Sequence, residues 1–210
     1  MIKVKALMLG QLQVNCYFIE DVATGDIAVV DPGDSSPALK SLITEYSDKI
    51  KCILLTHGHF DHIGYAKQLK ELTNAKVVIS KQDEPFLADG ELNLSLPFFG
   101  RSVPAVTADI TLEDNDELML GETKIKYIST PGHTKGSGCY IIDDSIFTGD
   151  TLMKLSMGRT DFPTSSNSDM SASLKRLYSL EGDYKVYSGH GASSSLDYEK
   201  KYNPYINAIK

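Results

Sequence analysis

Three of the chain's five histidines fall within seven residues, Thr56-His57-Gly58-His59-Phe60-Asp61-His62, with an aspartate among them. In an extended loop, residues two apart project to the same side, so His57 and His59 can reach one cation. Asp61 and His62 then point elsewhere, toward a second. Imidazole nitrogen and carboxylate oxygen are donors that borderline divalent metals such as zinc and iron accept, and the absence of cysteine in the stretch argues against a closed structural zinc site. The competing reading, a polar loop that is merely rich in histidine, asks nothing of the spacing. The His-x-His-x-Asp-His pattern is too specific to need that reading.

The two other histidines share a context: Ile128-Ser129-Thr130-Pro131-Gly132-His133 and Val186-Tyr187-Ser188-Gly189-His190. A third copy carries an acid instead, Ile146-Phe147-Thr148-Gly149-Asp150. In each, an apolar run ends, small or turn-forming residues follow, and a glycine permits a sharp turn that aims the next side chain off a sheet edge. A lone histidine is more often an ordinary core or surface residue. Here the shared context, and two cations needing more ligands than one loop supplies, make His133, Asp150 and His190 candidate ligands as well.

The elements that must position these groups follow from hydrophobic patterning. Residues 2–9, 14–20 and 27–31 read as antiparallel strands separated by Gly10 and Gly25. Residues 36–46 read as a helix, with Pro37 in the first turn and Leu39, Leu42, Ile43 and Tyr46 on one face. The plan then repeats: strand 52–55, the histidine-rich loop, and a helix over 63–72. Residues 75–80 form a strand, and 81–88 a short helix capped by Ser80. Residues 89–108 are broken by Gly90, Pro97, Gly100 and Pro104 yet stay apolar, a long loop that serves either as a lid or as core covering. Hairpins are expected over 117–120 with 123–129, and 139–142 with 145–148. A helix over 170–180, a last strand at 185–187 and a polar tail over 196–209 interrupted by Pro204 complete the chain. Two runs of strands with interleaved helices imply an α+β class, two mixed sheets face to face with helices outside, in one domain over 1–210.

Composition narrows the function classes. The length of 210 residues and 41% hydrophobic content suit a well-buried core. Cys16, Cys52 and Cys139 are odd in number, widely spaced and set in apolar runs, the pattern of buried reduced thiols. The net charge of −7, with no basic run longer than Lys200-Lys201, disfavours nucleic acid as a partner. Met1-Ile2-Lys3-Val4-Lys5 alternates like a strand rather than a signal peptide, and no apolar stretch approaches a membrane span, so the expected location is cytoplasmic with no membrane partner.

The motif set resembles the metallo-β-lactamase-fold superfamily, in its glyoxalase II-like (hydroxyacylglutathione hydrolase-like) branch. The likeness runs over residues 14–190 through Val30-Asp31-Pro32-Gly33, the histidine-rich loop, Thr130-Pro131-Gly132-His133-Thr134, Thr148-Gly149-Asp150-Thr151 and Ser188-Gly189-His190-Gly191. The resemblance implies an αββα sandwich. It also implies a ligand set: His57, His59 and His133 on one metal, Asp61, His62 and His190 on the other, Asp150 bridging. Two divalent ions are implied, zinc first, with iron or manganese as alternatives. Histidine at 59 is unlike the flavodiiron relatives, which carry glutamate, and aspartate at 150 is unlike true β-lactamases, which carry cysteine or serine. The RNA-processing members carry extra domains. What the resemblance leaves is a hydrolase of small-molecule acyl thiols, such as S-acyl-glutathione, using water ionised by the metals, with Asp61 and Asp150 as catalytic carboxylates. A persulfide dioxygenase with one iron on His57, His133 and Asp150 keeps the same motif and stays open, as does a non-enzymatic metal-binding module.

Two further residues carry expectations. Asp31 either orients a ligand histidine through the second ring nitrogen or is a plain turn residue. Arg159, in Met157-Gly158-Arg159-Thr160-Asp161-Phe162-Pro163, matches the position at which the family's basic residue holds the glutathione carboxylate. Asp161 replaces the tyrosine two residues on, and the helical C-terminal domain that completes the glutathione site is reduced to about twenty residues.

Overall fold

The computed structural model describes residues 1–210. The opening strands β1 (Ile2–Leu9), β2 (Val14–Asp21) and β3 (Ile27–Val30) pair antiparallel in sequence order. Helix α1 (Pro37–Tyr46) then carries the chain to β4 (Ile50–Leu54), which lies parallel to β3. Ser36 caps α1, its hydroxyl accepting from the Leu39 N–H, and Pro37 occupies the first turn, where a missing N–H costs nothing. Two short helices, α2 (Phe60–Ile63) and α3 (Ala66–Thr73), lead to β5 (Lys76–Ser80), and β6 (Ile110–Leu112) closes a six-stranded sheet, both in parallel pairing.

The second sheet holds β7 (Glu117–Leu120), β8 (Thr123–Ser129), β9 (Gly138–Ile142), β10 (Ser145–Gly149), β11 (Lys185–Ser188) and the two-residue β12 (Ser194–Ser195). All its pairs are antiparallel except β10 with β11, which α5 (Asn167–Tyr178) connects as a crossover. Helices α6 (Leu196–Tyr202) and α7 (Pro204–Asn207) end the chain.

Alternation along the strands sorts side chains into three apolar layers. On β2, Cys16 and Phe18 face α1 and α3, packing with Leu39, Leu42, Ile43 and Leu69. Tyr17 and Ile19 face the other way, meeting Tyr127, Tyr140 and Phe147 of the second sheet. That sheet's outer face, with Ile128, Ile146 and Val186, packs on Met170, Leu174, Leu196 and Ile206 of the C-terminal helices. The four layers are therefore helix, sheet, sheet, helix. Cys16, Cys52 and Cys139 are all free thiols, and no helix is long and apolar enough to cross a membrane.

Several boundaries differ from the sequence expectation. The helix expected over 63–72 is two helices, because the Tyr65 N–H bonds the Pro32 carbonyl rather than a helical one. A Cβ on Gly64 would lie 2.3 Å from the Gly33 carbonyl oxygen, so that crossing requires glycine. Residues 81–88 hold only a 3₁₀ turn (Glu84–Leu87), with the Ser80 hydroxyl accepting from the Asp83 N–H. The expected structureless stretch 89–108 contains α4 (Ser95–Phe99), entered by Leu94 and left by Gly100 in left-handed conformations. The crossover helix begins at Asn167 rather than 170, capped by Ser166, and the tail after 196 is helical, Pro204 opening α7 rather than merely interrupting.

Candidate metal centre

All five histidines and both expected carboxylates converge at one rim of the sandwich, between the ends of β4, β8, β10 and β11. Three overlapping groups each bring their donor atoms within 4.8 Å of one another: His57, His59 and His133; His57, His62 and Asp150; Asp61, His62 and His190. Asp150 stands between the first and last. One carboxylate oxygen lies 3.5 Å from His133 Nε2 and 3.7 Å from His190 Nε2, and the other 3.5 Å from His62 Nε2. His190 Nε2 is 3.3 Å from Asp61 Oδ2. The pairs expected from spacing, His57 with His59 and Asp61 with His62, fall in the first and last groups, while the middle group also joins His57 to His62 and Asp150.

The ring orientations are fixed from behind. His62 Nδ1 donates to Asp31 Oδ2 at 2.9 Å, His133 Nδ1 to the Arg159 carbonyl at 2.8 Å, and His190 Nδ1 to the Leu12 carbonyl at 3.0 Å. The Thr56 hydroxyl donates to Asp31 Oδ2 at 2.7 Å, which leaves its oxygen to accept from His57 Nδ1 at 3.1 Å. Each of these four rings therefore carries a proton on Nδ1 and turns Nε2 inward. His59 is the exception: its Nδ1 faces the centre, 2.9 Å from His133 Nε2. Burial and the surrounding imidazoles push the protonation of His57 and His59 well below the ordinary histidine value, so both rings are neutral donors. Burial acts the same way on His62, but Asp61, Asp31 and Asp150 outweigh it and hold its protonation above the ordinary value. Three carboxylates around one buried ring make a field that favours positive charge.

The donor set fits divalent cations. His57 Nε2, His62 Nε2 and Asp150 Oδ1 are buried side-chain atoms with no hydrogen-bond partner, and a buried polar atom is rarely left unpaired without a reason. All three aim into the same space. Asp31 itself is buried with φ at 47°, and from that left-handed conformation its carboxylate accepts from the Thr56 N–H, the Thr56 hydroxyl and His62. Gly189 is equally constrained, since a Cβ there would lie 2.3 Å from Asp150 Oδ1.

Asp83 has no counterpart in the sequence reading. Fully buried, it accepts from the Gly58 and Gly136 N–H groups, each at 2.9 Å, and from the Thr134 hydroxyl at 2.6 Å, so it ties the histidine-rich loop to the loop that carries His133. In sequence it sits in the polar run Lys81-Gln82-Asp83-Glu84 and resembles a solvated helix start. Arg159, by contrast, is found at the surface, paired bidentately with Asp161 (2.9 and 2.7 Å) and lying 4.6 Å over the Phe162 ring. Phe162 in turn packs edge-on against His59 and His133. The replacement at 161 noted in the sequence thus supplies the arginine with an internal carboxylate.

The family model described as the metallo-beta-lactamase superfamily matches residues 9–190. The chain is 30% identical over 209 residues to the hydroxyacylglutathione hydrolase GloC of Haemophilus influenzae, covering 98% of each sequence. Among solved structures it is similar to BLEG-1, described as a B3 metallo-beta-lactamase, with a TM-score of 0.90 at 30% identity over 97% of this chain and 99% of that one. It is also similar to TTHA1623, solved in a di-iron-bound form, with a TM-score of 0.82 at 31% identity over 96% and 99% of the two chains. The likeness to GloC fits a glyoxalase II-like member. With its fold, its rim of histidines and carboxylates and a family match across most of its length, the chain belongs to the metallo-β-lactamase superfamily, among its metal-dependent hydrolases.

Proposed function

We propose that the chain hydrolyses thioesters of small acyl thiols, S-acyl-glutathione or a related compound, at a dinuclear centre. His57, His59 and His133 would hold one divalent cation, Asp61, His62 and His190 the other, with Asp150 shared. The observation that carries this reading is the convergence of inward-turned ring nitrogens around Asp150, three of the donor atoms having no other partner. Zinc suits a nitrogen and oxygen donor set, and iron or manganese suits it as well. Bound cations would supply Lewis acidity and a water ionised near neutral pH.

The residues divide the remaining work. Attack of water on the acyl carbonyl forms a C–O bond and breaks the C–S bond, giving a carboxylic acid and a thiol. Asp61 is suited to orient the water by accepting a hydrogen bond from it: burial raises its carboxyl, but His62 and His190 outweigh that and hold it well below the ordinary value, so it is ionised. Phe162, packed against His59 and His133, excludes water from the side of the first histidine group. A net charge of −7 suits a small-molecule substrate better than a polyanion.

The test is metal identity and stoichiometry, followed by thioester hydrolysis, oxygen uptake and β-lactam cleavage on one preparation. Two metals per chain with release of free thiol from an acyl thiol is the expected result. One iron per chain with oxygen consumed on a persulfide, or cleavage confined to β-lactams, would overturn it.

A further inference from the structure

Beside His190 a cleft of about 390 Å³ opens, lined by Met153, Lys154, Leu155, Ser156 and Gly191. That volume is in the range of small-ligand sites. Its wall is the turn directly after Asp150, and the turn is unusually well fixed. Met153 and Ser156 exchange backbone hydrogen bonds at 3.1 and 3.0 Å, and Leu155 is held at φ 56°, a conformation that branched apolar residues rarely adopt.

Two fully buried polar side chains from the C-terminal segment clamp this turn from beneath. Glu199 accepts from the Leu155 N–H at 2.8 Å. Asn203 donates to the carbonyls of Ser156 (3.0 Å) and Met153 (3.3 Å) and to Glu199 at 2.8 Å. The tail after His190 therefore holds the cleft wall as well as covering the second sheet.

Lys154 projects from this fixed turn. It is exposed, makes no ion pair or hydrogen bond, and stands 5.9 Å over the Tyr198 ring. Arg159, the other cation on the segment after Asp150, is already neutralised by Asp161. An anion entering the cleft past Asp61 and Asp150 needs a local positive charge, and Lys154 is the one cation in the cleft's lining.

Resting on the thioesterase reading, we infer that Lys154, and not Arg159, fixes the carboxylate tail of the thiol carrier in the cleft beside His190. A single ammonium matches the single negative charge of a carboxylate, and a carboxylate is the anion that the thiol carrier of the proposed reaction presents. Lys154 is thereby a specificity-determining residue. It binds one end of the substrate while the acyl end lies at the histidine rim.

The test is calorimetric titration of the zinc-loaded protein with S-hexylglutathione, a thioether that is not hydrolysed, and with the same compound carrying its glycine carboxylate as an amide. The wild type should prefer the carboxylate about five- to tenfold, the size of one solvent-exposed charge-assisted contact, and salt should erode the preference. Lys154→Gln should abolish the preference, Lys154→Arg should restore it, and Arg159→Gln should leave it as in the wild type. Equal binding of the two probes by the wild type, no binding of either, or an undiminished preference in Lys154→Gln would overturn the assignment, and loss of preference in Arg159→Gln would move the role to Arg159. Hydrolysis assays separate the two readings. Carboxylate preference without cleavage of any acyl thiol sinks the thioesterase reading alone. Equal hydrolysis of anionic and neutral thioesters sinks the role of Lys154 alone.

Discussion

The two halves of the histidine rim are built differently. His57, His59 and His133 are 1–4% exposed, packed edge to face, with Phe162 across His59 and His133. On the other side the His190 side chain is 26% exposed and Asp61 15%, and the cleft with Lys154 opens beside them. The first half is dry and fixed by neighbouring loops through Asp83. The second half keeps His62 buried but meets solvent through Asp61 and His190. A cation in the first half would exchange slowly, and substrate would approach over the second.

Removing the group that both halves share should have the largest effect. Asp150→Ala is expected to bind no more than one metal and to lose more than about a hundredfold in activity, beyond what loss of an outer hydrogen-bond partner does in metal enzymes. Metal analysis and thioester kinetics on the purified variant check this, and retention of two metals would mean that Asp150 is not shared. Next in size are the half-site variants. His190→Ala should keep one metal that resists chelator, whereas His59→Ala should release metal readily, and equal release from both would erase the distinction between the halves.

A smaller effect is expected behind the second half. In Asp31→Asn the side chain still suits the left-handed backbone, but one amide oxygen cannot accept from Thr56 and His62 as two carboxylate oxygens do. Metal affinity should fall about 10- to 100-fold, most at the second cation, whose His62 touches Asp31 directly, and less at the first, whose His57 is reached through Thr56. Competition titration with a chromophoric chelator resolves the two.

The smallest lies away from both halves. Asp21, at the end of β2, accepts from the Glu122 N–H at 2.8 Å, from the Ala23 N–H at 3.1 Å and from the hydroxyls of Thr24 and Thr123, joining the two sheets. These bonds, the Glu122 N–H first, hold its carboxyl down at about 2, against an ordinary 3.8. A depressed folded value means the contribution is full above pH about 4 and is lost as pH falls through 2. The Tm difference between wild type and Asp21→Asn should therefore shrink over that window, with activity at neutral pH unchanged. A difference that does not vary with pH would show that the charge is not what matters.

Much of the rim could be read before any coordinates. Asp61 and every histidine announce themselves because ligand chemistry restricts residue type and spacing, and the strand-glycine-ligand context recurs for His133, Asp150 and His190. Asp31 carried two readings in sequence, and its hydrogen bonds to Thr56 and His62 settle for the orienting one. Strands were legible from alternation on β1 and β8, and from a β-branched and aromatic run bounded by glycines on β2. Contacts remote in sequence were not. Asp83 reaches Gly136 and Thr134 across some fifty residues, and Glu199 reaches Leu155 across 44. Neither lies in a pattern that local reading detects. The break at Gly64 has the same origin, because it depends on the backbone of residues 32 and 33 passing against the helix.

Anomalous diffraction from crystals of the metal-loaded protein tests the dinuclear arrangement most directly. Two peaks are expected, one among His57, His59 and His133 and one among Asp61, His62 and His190, with Asp150 in contact with both. A single peak on His57, His133 and Asp150 alone, or two peaks with Asp150 touching neither, would contradict it.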